Sequence, residues 1–224
     1  IGNTADTEFS RKLGELTAEC VGLENVVMGF LVITAALVLA LTGFLYLPSR
    51  KQVDFYHSIP VRRELLFTVR FVDGILVTGS MYLVNLVFTL GILGAAGMVS
   101  GALWTFLVHM TGFLLSYGLM TAAVMLTGNF FISVLGGIVL FGYVPAVAVL
   151  FQGLMQMFFV TTNQRISGID EWIIHGSPAP YYVALIGEGS DLPMARYGEL
   201  RGRILPALLA GLVLAVIGGL LYKF

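Results

Sequence analysis

Charge is scarce in this sequence. Only 11% of its 224 residues are Asp, Glu, Lys or Arg, where soluble globular chains carry roughly 25%. A chain so poor in charge cannot cover its own surface in water, so lipid becomes its natural solvent. Lysine is confined to Lys12, Lys51 and Lys223, and none of them precedes Ser or Thr. The Gly-Lys-Ser/Thr core of a phosphate-cradling loop is therefore missing, and ATP is not bound here by that route. The single cysteine, Cys20, excludes an internal disulfide framework and reads as a small buried apolar residue. His57, His109 and His175 fall on separate segments without metal-ligand spacing. No Ser-His-Asp or Cys-His arrangement stands out, so no catalytic and no metal-binding residue is assigned. A net charge of −1 gives no electrostatic case for nucleic acid.

What the sequence has in abundance is apolar residues, 58% of the chain, in long uncharged runs. No Asp, Glu, Lys or Arg occurs from Asn25 to Ser49, from Gly74 to Gln164, or from Ile204 to Tyr222. A helix needs about 20 apolar residues to cross the hydrocarbon core, so the middle run is long enough for three crossings. Glycine-rich Gly94–Ala102 and the turn sequence Thr127–Asn129 divide it. Five spans are predicted: about Asn25–Leu47, Leu66–Ala96, Leu103–Leu126, Phe130–Val160 and Ile204–Tyr222. The runs are continuous and show no apolar/polar alternation, which favours helices over strands. Pro145 predicts a kink within the fourth span. The fold class is all-α: a polytopic membrane helical bundle with short outer interfacial helices.

The distribution of bases orients the bundle. Basic residues tie between the two sides, but Arg50, Lys51, Arg62 and Arg63 crowd one short connection. Short loops carry the positive-inside signal, so the connection between the first two spans is predicted to be cytoplasmic. Residues 1–24 then lie outside as an amphipathic segment, with Phe9, Leu13, Leu16 and Cys20 at helical spacing. Residues 161–203 form a second outer region, too long for a bare loop. Its Trp172, Ile173, Ile174, Tyr181 and Tyr182 suit short helices at the membrane interface. The whole chain, 1–224, reads as one transmembrane domain with a cytoplasmic segment at 48–65. Localisation to the plasma membrane as a multi-pass protein is expected.

Two groups of residues are candidates for function. Polar side chains within spans face other helices or a cavity. Asn85, Ser116, Tyr117, Tyr143 and Gln152 could line a substrate path, although interhelical hydrogen bonding is the plainer reading. The second group lies in RKQVDFYHSIPVRRELLFTVR, Arg50 to Arg70. Here charge surrounds an aromatic patch, the composition of a protein–protein hot spot. An interfacial anchor, with bases on lipid headgroups, is the simpler alternative. The predicted coupling residues are Asp54, Phe55, Tyr56, His57, Ile59, Pro60, Arg62 and Arg63. Pro60 fixes a turn by lacking an N–H and disfavouring helix at Ile59.

The stretch VDFYHSIPVRRELLF resembles the first coupling region of ABC type-2 exporter permeases, in the form common in Gram-positive bacteria. SPAPYYVALI, Ser177 to Ile186, is similar to the outer segment before the last span of such permeases. The resemblance implies six spans with a cytoplasmic N-terminus, so a first span would precede Ile1. It implies two permease subunits, identical or paralogous, that form a pathway between them in membrane lipid. It also implies a separate ABC ATPase subunit that carries ATP and Mg, with no cofactor and no enzymatic activity on this chain. A hydrophobic or amphipathic cargo would suit an uncharged path. Two other readings stand beside it: a stand-alone secondary transporter, and a membrane sensor or scaffold that binds a ligand through 161–203.

Overall fold

The protein was analysed as a computed structural model. It describes residues 8, 9, 12, 16, 19, 22–23, 25–44, 46–47, 51, 53, 58, 61–93, 99–127, 129–159 and 168–222. Among these residues the regular structure is entirely helical. The helices are α1 (Val26–Gly43), α2 (Arg63–Leu93), α3 (Val99–Thr127), α4 (Phe130–Phe158), α5 (Ile169–Gly176), α6 (Pro178–Ser190) and α7 (Arg201–Leu221). A 3-10 turn, Met194–Leu200, leads directly into α7. In the N-terminal segment, Glu8, Phe9, Lys12, Leu16 and Glu19 have helical backbone, with Phe9 and Leu16 exposed. Leu13 and Cys20 lie outside the described residues.

Four helical segments are long and apolar enough to cross a membrane: Arg63–Phe88, Val99–Thr127, Phe130–Phe158 and Arg196–Leu221. The fifth expected span is shorter. Its helix, α1, has 18 residues, or about 27 Å at 1.5 Å per residue, against a hydrocarbon core of roughly 30 Å. Local chemistry sets the helix starts. Asn25 caps α1, its side-chain oxygen accepting from Met28 N at 3.2 Å. Asn129 caps α4 by accepting from Phe131 N at 3.1 Å. The Thr127 and Ser133 hydroxyls close that α3–α4 turn at 2.6 Å. Gly168 precedes α5 at φ 97°, a left-handed conformation that favours glycine.

α3 is the hub of the bundle. Its apolar window is 67% buried, against 28% for α2, 22% for the α7 segment and 11% for α4. The outer helices therefore present Val, Leu, Ile and Phe outward, a surface suited to lipid and unsuited to water. α1, α3 and α7 run in one direction, with α2 and α4 reversed. Tyr46 beyond α1 meets Tyr222 beyond α7, and both ends lie beside Phe67 near the start of α2. α3 and α7 approach each other closely. A Cβ on Gly118 would lie 3.4 Å from Gly211 O, and one on Gly211 would lie 2.8 Å from Leu114 Cγ. Small residues allow this contact, as is common between helices in lipid.

The outer region differs from its expected placement on a membrane surface. α5 and α6 form a hairpin whose tip, Gly176–Ser177, packs beside Val144 and Phe141, near the middle of α4. From there α6 passes Gly112 and Gly29 and ends beside Leu23 and Leu200. The hairpin is thus built into the bundle.

Candidate functional site

Of the expected coupling residues, Arg62 and Arg63 are exposed at the start of α2. The Arg62 carbonyl accepts the first helical N–H groups, from Leu65 at 3.0 Å and Leu66 at 3.1 Å. Asp54, Phe55, Tyr56, His57, Ile59 and Pro60 lie outside the described residues. Between the helices that this segment joins, an aromatic cluster fills the interior. Phe44 of the α1 end stacks on Phe67 of α2, with centroids 5.6 Å apart. Phe67 contacts Phe71 at 5.7 Å and Tyr222 at 5.8 Å. Phe71 contacts Tyr117 of α3 at 4.7 Å. Val53 of the connecting segment packs on the same core. Each aromatic pair contributes about 0.5–1.5 kcal/mol beyond area burial, so α1, α2, α3 and α7 are tied together at this end. The Tyr46 and Tyr222 hydroxyls, 2.8 Å apart and buried, add one hydrogen bond. Replacing Tyr222 by Phe is expected to destabilise the protein in detergent by about 0.5–1.5 kcal/mol. Thermal unfolding checks this, and an unchanged midpoint would show that the bond contributes nothing.

The five candidate path residues are dispersed. Asn85 is exposed on α2, Ser116 and Tyr117 are fully buried in α3, Tyr143 is exposed on α4, and Gln152 is half-buried on α4. Tyr117 stacks on Phe113 at 5.1 Å and donates to the Arg70 carbonyl at 3.4 Å, which makes it part of the core. Of the five, Tyr143 alone lines a cavity of about 1140 Å³ between α4 and α5.

The hairpin holds the most specific contacts. Proline has no N–H, so Pro145 inside α4 leaves the Phe141 carbonyl without its intrahelical donor. The Ser177 hydroxyl donates to that carbonyl at 2.5 Å. Ser177 stands at the N-cap of α6 but makes no side-chain cap bond there. Pro180 at the third helical position has no N–H to be capped, which leaves the Ala179 N–H at the second as the one usual capping target. The serine is therefore available to α4.

One turn further, Tyr182 lies over Gly112 of α3, and its hydroxyl meets His109 Nδ1 at 2.5 Å. Both residues are buried, and the Tyr82 ring of α2 lies 5.3 Å from the imidazole. His109 Nε2 and the hydroxyls of Thr78, Ser116 and Thr121 are buried without a hydrogen-bond partner among the described residues. At the far end of α6, Glu188 pairs with Arg203, and the Tyr181 hydroxyl donates to the Arg203 carbonyl at 2.8 Å. Partial burial raises the Tyr181 pKa, while Arg203 opposes the rise and Glu188 adds to it.

Sequence reasoning noticed His109 as one of three scattered histidines and did not connect it to Tyr182, 73 positions away. A histidine inside so long an uncharged run was itself a signal, because ionisable groups at membrane depth are costly and are kept for a partner. The chain matches no protein-family model, no curated protein and no solved structure.

Proposed function

We propose that this chain is the membrane-spanning permease subunit of an ABC exporter, with five spans in the plasma membrane. α1 is the short span, lengthened by the turn at Phe44–Leu47. The observation that carries the reading is the segment Arg50–Arg70 and its position. In sequence it bears an aromatic patch ringed by charge, and its described end, 61–70, opens α2, whose Phe67 belongs to the aromatic cluster that joins four helices. A push on such a segment would move α1, α2, α3 and α7 together. The same end of the bundle carries the short α3–α4 turn and exposed Arg62 and Arg63, in keeping with a cytoplasmic side rich in short basic connections. ATP and Mg would sit on a partner ATPase. A path formed between two permease subunits would draw on exposed residues such as Asn85 and Tyr143 rather than on Ser116 and Tyr117. One observation favours the sensor reading instead: the cavity formed by α4 and α5 is concave and lined largely by apolar side chains.

Affinity purification in mild detergent separates the two. An ATPase subunit is expected to co-purify with the wild-type protein, and a Phe55→Ala/Tyr56→Ala variant is expected to lose it or to uncouple ATP hydrolysis. If no ATPase accompanies the wild type and the variant behaves identically, the segment is a lipid anchor and the exporter reading is wrong.

A further inference from the structure

The cavity between α4 and α5 has two chemically distinct parts. Val144, Val147, Ala148 and Phe151 supply an apolar wall from α4. Glu171 and His175 of α5 stand at the polar rim. Trp172 and Tyr143 line the same space and are 75% and 61% exposed, so neither ring is used up in the core. At about 1140 Å³ the space exceeds the roughly 300–1,000 Å³ of pockets for drug-sized ligands. One of its walls is α4, the least buried of the long helices, whose outward apolar surface suits the bilayer.

The rim selects by charge. Among the described residues, Glu171 makes no ion pair and no Lys or Arg lines the cavity. His175 Nδ1 is engaged with the Glu171 carbonyl at 2.9 Å, and its ring lies edge-on to Tyr181 at 5.7 Å. That leaves Nε2 as the free hydrogen-bonding atom of the ring. A carboxylate in a space that aromatic rings also line attracts a cation by direct charge, and the ring quadrupoles add to that attraction. It repels a carboxylate or phosphate head.

We propose that this cavity binds a single-chain amphiphile with a cationic head, its alkyl chain along α4 and its head at Glu171 between Trp172 and Tyr143. The site is made by this chain alone and does not depend on an ATPase partner. Its failure would leave the exporter reading standing, and the reverse also holds.

The two tryptophans allow a direct test. Trp104→Phe leaves Trp172 as the sole emitter in full-length protein held in phosphatidylcholine nanodiscs. A bromine-labelled long-chain trimethylammonium is expected to quench Trp172 saturably, while the matched bromine-labelled fatty acid does so only in proportion to its mole fraction. Glu171→Gln, an exposed change, should weaken the ammonium probe about tenfold with helical content unchanged. Ala148→Phe, which fills the wall, should remove saturation. Equal, unsaturable quenching by both probes would reduce the cavity to ordinary lipid contact and overturn the proposal. Absence of quenching by either would mean that another part of the protein, or a second copy, covers Trp172, and would overturn it equally.

Discussion

Gly112→Ala is expected to destabilise the bundle by about 1–3 kcal/mol, the usual range for overpacking a filled core. Gly112→Leu is expected to stop α6 from seating at all. A single added Cβ would fall inside the contact distance of three ring atoms of Tyr182, namely Cδ2, Cε2 and Cγ. The ring has no room to yield. It is 1% exposed, its hydroxyl is held by His109, and Gly29 of α1 lies close on another side. The neighbouring elements are the hub helix and α1, so relief would require moving two long helices. Removing the ring relieves the clash but leaves His109 Nδ1 unpaired, so Tyr182→Leu in the Gly112→Ala background is expected to recover only part of the lost stability. Gly142→Ala is the control, because an added Cβ there meets nothing within 4 Å. Thermal unfolding in detergent, followed by size-exclusion profile, reads all four proteins. If Gly112→Ala unfolds at the wild-type temperature, α6 does not lie on α3 as described.

The parts of this fold that were legible in the sequence are those governed by the solvent alone. A span must exclude charge over its whole length, and this is a one-dimensional property. The predicted start of the fourth span at Phe130 coincides with the start of α4, and the fifth, about Ile204–Tyr222, falls on α7 within a few residues. The turn at Thr127–Asn129 was legible for a similar reason, since asparagine caps a helix with its own side chain. The first span was less secure, because uncharged Asn25–Ser49 contains a helix of only 18 residues followed by a turn.

The hairpin was not legible, because its reasons are three-dimensional. Ile169–Gly176 contains Asp170, Glu171 and His175, and read singly these residues belong at a surface. What draws the tip inward is a carbonyl on α4, 36 positions from Ser177 and exposed by a proline that reads only as a kink. Likewise Tyr117 has the composition of a path residue, and only its ring contacts with Phe71 and Phe113 show that it is core.

That carbonyl supports the second large prediction. Ser177→Ala removes the hydroxyl that satisfies Phe141 O and leaves a backbone acceptor unpaired in the interior of an apolar bundle, at a cost of about 1–3 kcal/mol. The decisive comparison is the same change made together with Pro145→Ala. Alanine at 145 returns an N–H to the helix one turn beyond Phe141, so the carbonyl regains an intrahelical partner and the serine becomes redundant. Ser177→Ala should therefore be nearly silent in that background, giving a coupling energy of about 0.5–3 kcal/mol. Trp172 emission offers a local readout beside global unfolding, since α5 ends at the tip. A cap role for Ser177 predicts a different result. Its loss would then be felt within α6 and would be indifferent to residue 145, so strictly additive effects would separate the serine from the proline. Coupling between the two would establish that the carbonyl freed by Pro145 in one long helix is the socket for the hairpin tip.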